Sequence, residues 1–215
     1  MEKEKNARAY AVVMAGGKGE RFWPQSRLSN PKQLLRLLGN LTLIEQTIER
    51  LSAIFDYSHI IVVTNTNYVA PMRSLLSYLP QENIIGEPEG KDTAPCIANA
   101  AAYIKNTSRV PDPVLCLFPT DHIINDTVSF YDALADSLAV AEDTHHIVTI
   151  GIKPNAPMTG YGYIEVGDKM NFTSKTVFRK VCGFKEKPSL ELSEAYVADG
   201  KHMWNSGIFI LNLSC

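Results

Sequence analysis

A glycine-rich stretch follows the first apolar run of the sequence and could bind an anion. The run Tyr10–Met14 predicts a buried strand, and Ala15-Gly16-Gly17-Lys18-Gly19-Glu20-Arg21 comes directly after it. Glycines let the backbone approach a phosphate closely, and consecutive N–H groups can form an anion-binding nest. Open α/β sheets bind ligands at the carboxyl ends of their strands, where this loop lies. The glycines alone are equally compatible with a turn that binds nothing.

Two common nucleotide-binding motifs do not match this loop. A P-loop requires G-x-x-x-x-G-K-[ST], but Lys18 is followed by Gly19 and no glycine stands at the required distance before it. A dinucleotide fingerprint requires G-x-G-x-x-G, and its third glycine position is Phe22. Pro24 also discourages the immediate helix that both motifs need.

Basic side chains concentrate around the loop. Residues 15–36 hold five basic side chains against one acidic side chain, Glu20, in a chain whose formal net charge is −2. Arginine supplies a planar fork for phosphate oxygens, and lysine supplies a compact point charge. Pro31 fixes its own φ and pushes the preceding residue towards an extended backbone, which could aim Lys32 at a defined point.

Two acidic residues stand at positions that suit ligand binding. Glu87 follows a short apolar run. Asp121 follows a buried strand, where a hard carboxylate suits Mg²⁺. The ordinary alternatives are that Glu87 caps a neighbouring element or faces solvent, and that Asp121 caps the next turn. For His122 we expect a structural role.

Short apolar runs alternate with longer helical patterns along the chain. Strands are predicted over 10–14, 59–63, 83–85, 114–118, 147–152 and 208–213. Helices are predicted over 42–55, 68–79, 94–105, 128–141 and 189–198. A hairpin is predicted from 160–166 and 176–184. This alternation is typical of an α/β fold with a mostly parallel sheet between helices.

Composition limits the classes of protein and of partner. With 215 residues, 45% of them apolar and 20% charged, the chain is expected to be one globular domain. Its net charge offers no general attraction to nucleic acid or to a membrane surface. The N-terminus resembles neither a signal peptide nor a membrane span. Because four widely spaced cysteines form no disulfide or zinc pattern, a cytoplasmic location is expected.

The residues after the first strand resemble a known family. Gly16-Gly17-x-Gly19-x-Arg21-Phe22-Trp23-Pro24-x-Ser26-Arg27, followed by Pro31-Lys32-Gln33, is similar to the signature of bacterial mannose-1-phosphate guanylyltransferases, or GDP-mannose pyrophosphorylases. These enzymes belong to the sugar-nucleotide pyrophosphorylases. The resemblance implies a Rossmann-like, GT-A-like fold, in which a mostly parallel central sheet is flanked by helices and a β-hairpin forms a sugar-binding subregion.

The resemblance also implies roles for the loop and the acidic residues. Ala15, Gly16, Gly17 and Gly19 would cradle the triphosphate. Glu87 lies in a segment similar to the one that meets the base, where one carboxylate can accept both the N1–H and the exocyclic amine of guanine, an edge that adenine lacks. Arg21 and Lys32 would contact the phosphates as catalytic residues, and Asp121 would bind the Mg²⁺ cofactor.

Three later motifs extend the resemblance to the sugar phosphate. They are Gly160-Tyr161-Gly162, Phe184-Lys185-Glu186-Lys187-Pro188 and Asn205-Ser206-Gly207-Ile208-Phe209. By resemblance, Gly162, Glu186 and Asn205 would bind the sugar, and Lys187 would bind its phosphate.

The expected reaction joins GTP and mannose 1-phosphate into GDP-mannose and pyrophosphate. The expected domain covers 1–215, with a nucleotide part over about 1–125 and a sugar-phosphate part over about 126–215. It is expected to be truncated at the C-terminus, because the family's second acidic metal ligand lies beyond the Asn205 motif. Homo-oligomerisation is left open. The alternatives are a pyrophosphorylase for UTP or dTTP with glucose 1-phosphate, and a non-catalytic regulatory subunit that binds a nucleotide sugar.

Overall fold

The structure is a computed structural model that describes residues 6–17, 19, 22–37, 39–89, 93–144 and 146–215. The strands are β1 (Ala9–Ala15), β2 (Ile60–Asn65), β3 (Ile84–Glu87), β4 (Val114–Pro119), β5 (Val148–Ile152), β6 (Gly162–Met170), β7 (Phe178–Glu186) and β8 (His202–Asn212). The helices are α1 (Leu43–Ser52), α2 (Thr66–Leu75), α3 (Thr93–Thr107), α4 (Thr127–Thr144) and α5 (Leu190–Asp199). Among these helices, none has both the length and the apolar character needed to cross a membrane.

The eight strands form one sheet with a parallel part and an antiparallel part. Its order is β3-β2-β1-β4-β8-β6-β7, and β5 also pairs with β8. Strands β1 to β4 pair in parallel, whereas β8 runs antiparallel to β4, β5 and β6. Helices connect the parallel strands, because a parallel pair needs a long crossover. The predicted α/β fold is confirmed, and β6 and β7 form the predicted hairpin.

Alternating side chains of the parallel strands build two core layers. In β1, Val13 belongs to the layer covered by α1, α2 and α4, and Val12 belongs to the layer covered by α3. Because these strands are buried on both faces, their sequences are nearly continuous apolar runs. Cys96 and Cys116, predicted to be small core residues, are buried in these layers.

Helix α1 begins with a capping box. The Thr42 hydroxyl accepts the Glu45 N–H at 3.3 Å, and the Glu45 carboxylate accepts the Thr42 N–H at 2.8 Å. The predicted apolar face is buried and consists of Leu43, Ile44, Ile48, Leu51 and Phe55. Capping and burial together fix α1 against the sheet, beside the end of β4.

Strand β8 is longer than the sequence predicts. We predicted a strand over 208–213, but β8 covers His202–Asn212. The segment Asn205-Ser206-Gly207 contains turn-favouring residue types, which masked the strand. These residues lie at a ladder irregularity, since the pairing of β5 with β8 shifts register between Thr149 and Gly151. Such irregularities bend a strand without ending it and are frequent beside binding sites.

Gly207 brings the two parts of the sheet close together. Its φ is +72°, in the left-handed region that favours glycine, and a Cβ there would lie 3.3 Å from Cγ of Pro119. Pro119 is the last residue of β4. The missing side chain therefore lets the Asn205 segment approach the strand end that precedes Asp121.

Replacing Gly207 by alanine is expected to destabilise the fold more than the matched change Gly200→Ala. Both glycines have positive φ, 72° and 64°, but a Cβ at Gly200 would meet nothing within 4 Å. A backbone penalty of about 1–2 kcal/mol applies to both variants, and only Gly207→Ala adds the contact with Pro119. Urea unfolding of the two variants measures the difference. Equal losses of unfolding free energy would contradict a steric role for Pro119.

Candidate functional site

Side chains hold the carbonyl groups of the glycine-rich loop. The buried Gln33 amide donates hydrogen bonds to the carbonyl of Ala15 and, at 3.3 Å, to the carbonyl of Gly17. The Thr64 hydroxyl donates to the same Ala15 carbonyl at 3.0 Å. The C=O and N–H groups of a trans peptide point in opposite directions, so fixing the Ala15 carbonyl turns the Gly16 N–H away from Gln33. The loop is thus held with an N–H group available for an anion.

The side chain of Lys32 lies against the same loop. A Cβ at Gly17 would be 3.2 Å from Cε of Lys32, and a Cβ at Gly19 would be 2.6 Å from its Cβ. Gly19 also has φ +69°, and its carbonyl accepts a hydrogen bond from the Ser26 hydroxyl. These two loop glycines therefore leave room for the Lys32 side chain.

The ammonium group of Lys32 forms an ion pair with Asp121. Nζ lies 2.6 Å from Oδ2, and the two side chains are 20% and 32% exposed. Burial by itself raises the pKa of Asp121, but the hydrogen bond and charge of Lys32 outweigh burial and hold this pKa below its ordinary value of 3.8. Asp121 is therefore ionised at neutral pH. The predicted phosphate ligand and the predicted metal ligand are in direct contact.

Helix α1 supports the segment that carries Asp121. The Thr47 hydroxyl lies 3.4 Å from the carbonyl oxygen of Thr120, and the Arg50 guanidinium donates two hydrogen bonds of 3.3 Å to the carbonyl of His122. Burial lowers the pKa of His122, and the opposing effect of the Asp121 charge is smaller. A neutral imidazole at this position agrees with the structural role that we expected.

The carboxylate of Glu87 lies beside the start of the loop. The residue is 3% exposed, and a Cβ at Gly16 would be 3.4 Å from Oε2 of Glu87. The Thr66 hydroxyl donates to the Glu87 backbone carbonyl at 2.9 Å, and the Asn99 amide nitrogen lies 3.4 Å from Oε1. Glu87 therefore does not face solvent, and its carboxylate lies against the start of the glycine-rich loop.

Three residues expected to bind the sugar come together on β6, β7 and β8. A Cβ at Gly162 would lie 2.8 Å from Oε2 of Glu186 and 3.6 Å from Cβ of Asn205. Gly162 and Glu186 face each other in the β6–β7 ladder. Oδ1 of Asn205 accepts the N–H of Gly207 at 3.0 Å, which fixes the orientation of its amide. The cluster presents a carboxylate and an amide, the groups that hydrogen-bond hydroxyls.

Lys187 follows β7 in an unusual backbone conformation. Its φ is +43°, and its ammonium lies 3.1 Å from Oε1 of Glu186. A non-glycine residue in this region is strained, and such strain concentrates at binding sites. The two side chains are 57% and 68% exposed, so a ligand can reach them. An ion pair this exposed is weak and readily exchanged for a phosphate contact.

The described site residues form two groups. The first group contains Ala15, Gly16, Gly17, Gly19, Lys32, Glu87 and Asp121, and the second contains Gly162, Glu186, Lys187 and Asn205. Arg21 lies outside the described residues, so its phosphate contact stays a prediction.

Several supporting residues were not identified from the sequence. Gln33 could have been identified as a supporting residue, because it directly follows Lys32 in the Pro-Lys-Gln motif. The contacts of Thr64 and Asn99 depend on how strands and helices pair, which periodicity does not reveal.

Asp121 could bind a divalent cation together with a ligand. Within the described part of the chain, no three His, Cys, Asp or Glu side chains cluster as metal ligands. Mg²⁺ usually takes one or two protein carboxylates and completes its shell with phosphate oxygens and waters. A single ionised carboxylate beside an anion-binding loop agrees with that chemistry.

Known proteins resemble this chain over almost its whole length. A family model described as "Nucleotidyl transferase" matches residues 10–214. Mannose-1-phosphate guanylyltransferase from Escherichia coli K12 is 42% identical over 206 residues, which are 95% of this chain and 43% of that protein. Mannose-1-phosphate guanylyltransferase ManC from Salmonella typhimurium LT2 is 41% identical over 208 residues, 96% of this chain and 43% of that protein.

Solved structures share the fold. A mannose-1-phosphate geranyltransferase from Thermus thermophilus matches with a TM-score of 0.85 and 32% identity, over 96% of this chain and 58% of that chain. The inositol-1-phosphate CTP transferase from T. maritima matches over 98% of this chain and 73% of that chain, with a TM-score of 0.61, and at 16% identity shows the fold alone. The chain thus spans less than half the length of the two guanylyltransferases. From the family model and these relatives, we conclude that the chain belongs to the nucleotidyl transferase family.

Proposed function

We propose that this chain carries the nucleotidyltransferase site of a mannose-1-phosphate guanylyltransferase. It would transfer the guanylyl group of GTP to mannose 1-phosphate, forming GDP-mannose and pyrophosphate in the cytoplasm. The observation that carries the proposal is the contact of Lys32 with both the glycine-rich loop and Asp121. The names of the similar proteins support the same reaction.

The chemistry requires no enzyme nucleophile. A phosphate monoester has a second pKa of about 6, so mannose 1-phosphate is largely a dianion at neutral pH. One of its oxygens forms a bond to the α-phosphorus of GTP, while the bond from that phosphorus to the bridging oxygen of pyrophosphate breaks. Pyrophosphate leaves with the bonding electron pair. The protein must therefore hold two anions in line and stabilise the charge on the leaving group.

We assign the nucleotide to residues of the 1–125 part. The Gly16 N–H and its neighbours in the loop bind phosphate oxygens of GTP. Lys32 neutralises the negative charge that develops on the departing pyrophosphate. By resemblance, Arg21 does the same. The supporting geometry is the Gln33 amide, which fixes the loop carbonyls and leaves N–H groups free for the anion.

We assign the sugar phosphate to the 126–215 part. Lys187 binds the attacking phosphate, and its strained, exposed position next to Glu186 supports this role. Glu186 and Asn205 hydrogen-bond the mannose hydroxyls, and Gly162 lets the sugar lie against the backbone of β6. The close approach of Gly162 to both side chains supports a single sugar pocket.

Asp121 is the residue that would hold Mg²⁺. When bound, the ion supplies positive charge to the phosphate oxygens of the nucleotide. In the structure, Asp121 is neutralised by Lys32 at 2.6 Å. Ligand binding would then require Lys32 to exchange Asp121 for phosphate oxygens, which would leave the Asp121 carboxylate able to hold the cation.

Glu87 would select guanine. Its buried carboxylate lies next to Gly16 and can accept hydrogen bonds from N1–H and the exocyclic amine together. Neither UTP nor dTTP offers this pair of donors, so Glu87 opposes the alternative reaction with glucose 1-phosphate. Pyrophosphate release from a panel of triphosphates and sugar 1-phosphates tests the proposal. Preferred use of UTP or dTTP with glucose 1-phosphate would overturn it, and tight GDP-mannose binding without turnover would favour a regulatory subunit.

Replacing Lys32 by alanine is expected to lower kcat about 100- to 1,000-fold. The change removes a charge that stabilises the leaving group, and comparable deletions cost about 2.7–4 kcal/mol in the barrier. Pyrophosphate release measures kcat, and thermal unfolding shows whether the variant folds. The control is Lys175→Ala, which removes an exposed lysine paired with Asp132 at 3.2 Å. Wild-type turnover by the Lys32 variant would refute its role.

Replacing Glu87 by glutamine is expected to reduce the preference for GTP over ATP about tenfold. The amide of glutamine offers one acceptor oxygen where the carboxylate offers two, so one guanine contact is lost, and a hydrogen bond to a charged group of about 1.5–3 kcal/mol is removed. The ratio of kcat/KM for the two triphosphates measures the preference. An unchanged ratio would exclude Glu87 from the base site.

Acid is expected to remove a stabilising contribution of Asp121. Lys32 holds the folded-state pKa of Asp121 below 3.8, so the ionised carboxylate stabilises the fold above about pH 4 and less so as the pH falls through the lowered pKa. Asp121→Asn should therefore be less stable than wild type at pH 7, and the difference should shrink at pH 3. Urea unfolding at both pH values measures it. A difference that does not change with pH would contradict the expectation, and Asp132→Asn is the surface control.

A further inference from the structure

The Glu87 carboxylate has few partners for a charge so deeply buried. Glu87 is 3% exposed, and removing a carboxylate from water is costly unless hydrogen bonds compensate. Among the described residues, the Asn99 amide is the one group that donates to this carboxylate, at 3.4 Å from Oε1. A carboxylate can only accept, so the amide must present its NH₂ side.

A second observation, on Cys96, also places the Glu87 carboxylate next to α3. Cys96 and Asn99 are three positions apart, so they lie on the same face of the helix. Burial raises the pKa of Cys96 to about 12, and the nearby negative charge of Glu87 contributes to the rise. The thiol is thus protonated, and the Glu87 charge faces this part of α3. Asn99 itself is exposed, so its side chain stands at the open side of the contact.

We propose that Asn99 is a positioning residue that determines guanine specificity through Glu87. This inference rests on the proposed function and adds to it a residue of α3 that lies outside the glycine-rich loop. Asn99 holds Oε1 of Glu87, and this fixes the rotation of the carboxylate while Oε2 stays next to Gly16.

The lone pairs of the carboxylate allow both contacts at once. Each oxygen can accept two hydrogen bonds, so Oε1 can accept one from Asn99 and still accept one from guanine. The carboxylate then presents both oxygens to the adjacent N1–H and amine. Without Asn99 the carboxylate is free to rotate, and a bidentate contact needs a fixed orientation. ATP has no such donors and does not depend on that orientation.

The test compares Asn99→Leu with the matched control Asn106→Leu. Asn106 is on the same helix, and its amide donates to the carbonyl of Ala102 at 2.9 Å on the exposed surface. Competition of GTP, ITP and ATP against a fluorescent GTP analogue measures binding to the full-length protein. Asn99→Leu should weaken the binding of GTP about tenfold, in line with loss of a hydrogen bond to a charged group, and should leave the binding of ATP unchanged.

Inosine isolates the amine contact, because ITP keeps N1–H and lacks the amine. The preference for GTP over ITP should fall in Asn99→Leu and stay at the wild-type value in Asn106→Leu. A second variant, Asn99→Asp, places a carboxylate beside Glu87 and should weaken GTP binding at least as much as Asn99→Leu does. If Asn99 only stabilised the fold, its substitution would weaken the binding of all three triphosphates alike.

A double-variant cycle shows whether Asn99 acts through Glu87. In the Glu87→Gln background, Asn99→Leu should cause little further loss of GTP binding, because the carboxylate that it positions is gone. Fully additive losses, or wild-type base preference in Asn99→Leu, would overturn the inference while leaving the proposed function intact. A wild-type protein that does not prefer GTP would overturn the proposed function, and this inference with it.

Discussion

The ion pair between Lys32 and Asp121 is the contact around which the proposed nucleotide site is arranged. Its partners are 89 residues apart in the chain and meet because β1 and β4 are parallel neighbours. The loop after β1 has glycines where the lysine stem passes, and Gln33, the residue after Lys32, holds the loop carbonyls. On the other side, α1 holds the backbone around Asp121. Loop, lysine and carboxylate are thereby fixed relative to one another before any ligand binds.

The two groups of proposed site residues each contain an ion pair between a lysine and a carboxylate. The pairs are Lys32 with Asp121 and Lys187 with Glu186. The two groups of proposed site residues therefore carry paired charges of both signs, although both proposed substrates are anions. Under the proposed function, the positive charge of each lysine becomes available when a substrate takes the place of its carboxylate partner. The nucleotide-side pair is the more buried of the two, so exchange there involves a larger change in hydration.

Most elements could be predicted from the sequence, because the parallel strands are buried on both faces and the helices follow a regular apolar pattern. The start of β8 could not be predicted, since Asn205, Ser206 and Gly207 favour turns and lie in a strand only because β6 pairs with the residues before them and β5 pairs on both sides of the irregularity. Sequence motifs indicated which residues belong to the site. They did not indicate that Lys32 contacts Asp121 or that Asn99 contacts Glu87, because those contacts follow from strand order and helix docking.

Strand β8 also sets the order in which the chain can assemble. Strands β1 to β4 pair among themselves, but in the described chain β5 and the β6–β7 hairpin join the sheet through β8 alone. On a ribosome, the first four strands and their crossover helices can dock as they emerge, whereas the hairpin has no neighbouring strand in the sheet until residues 202–212 have been synthesised. The strands that carry the proposed sugar-binding residues are therefore the last to join the sheet, and until then the free edge of β4 is open to pairing with other strands.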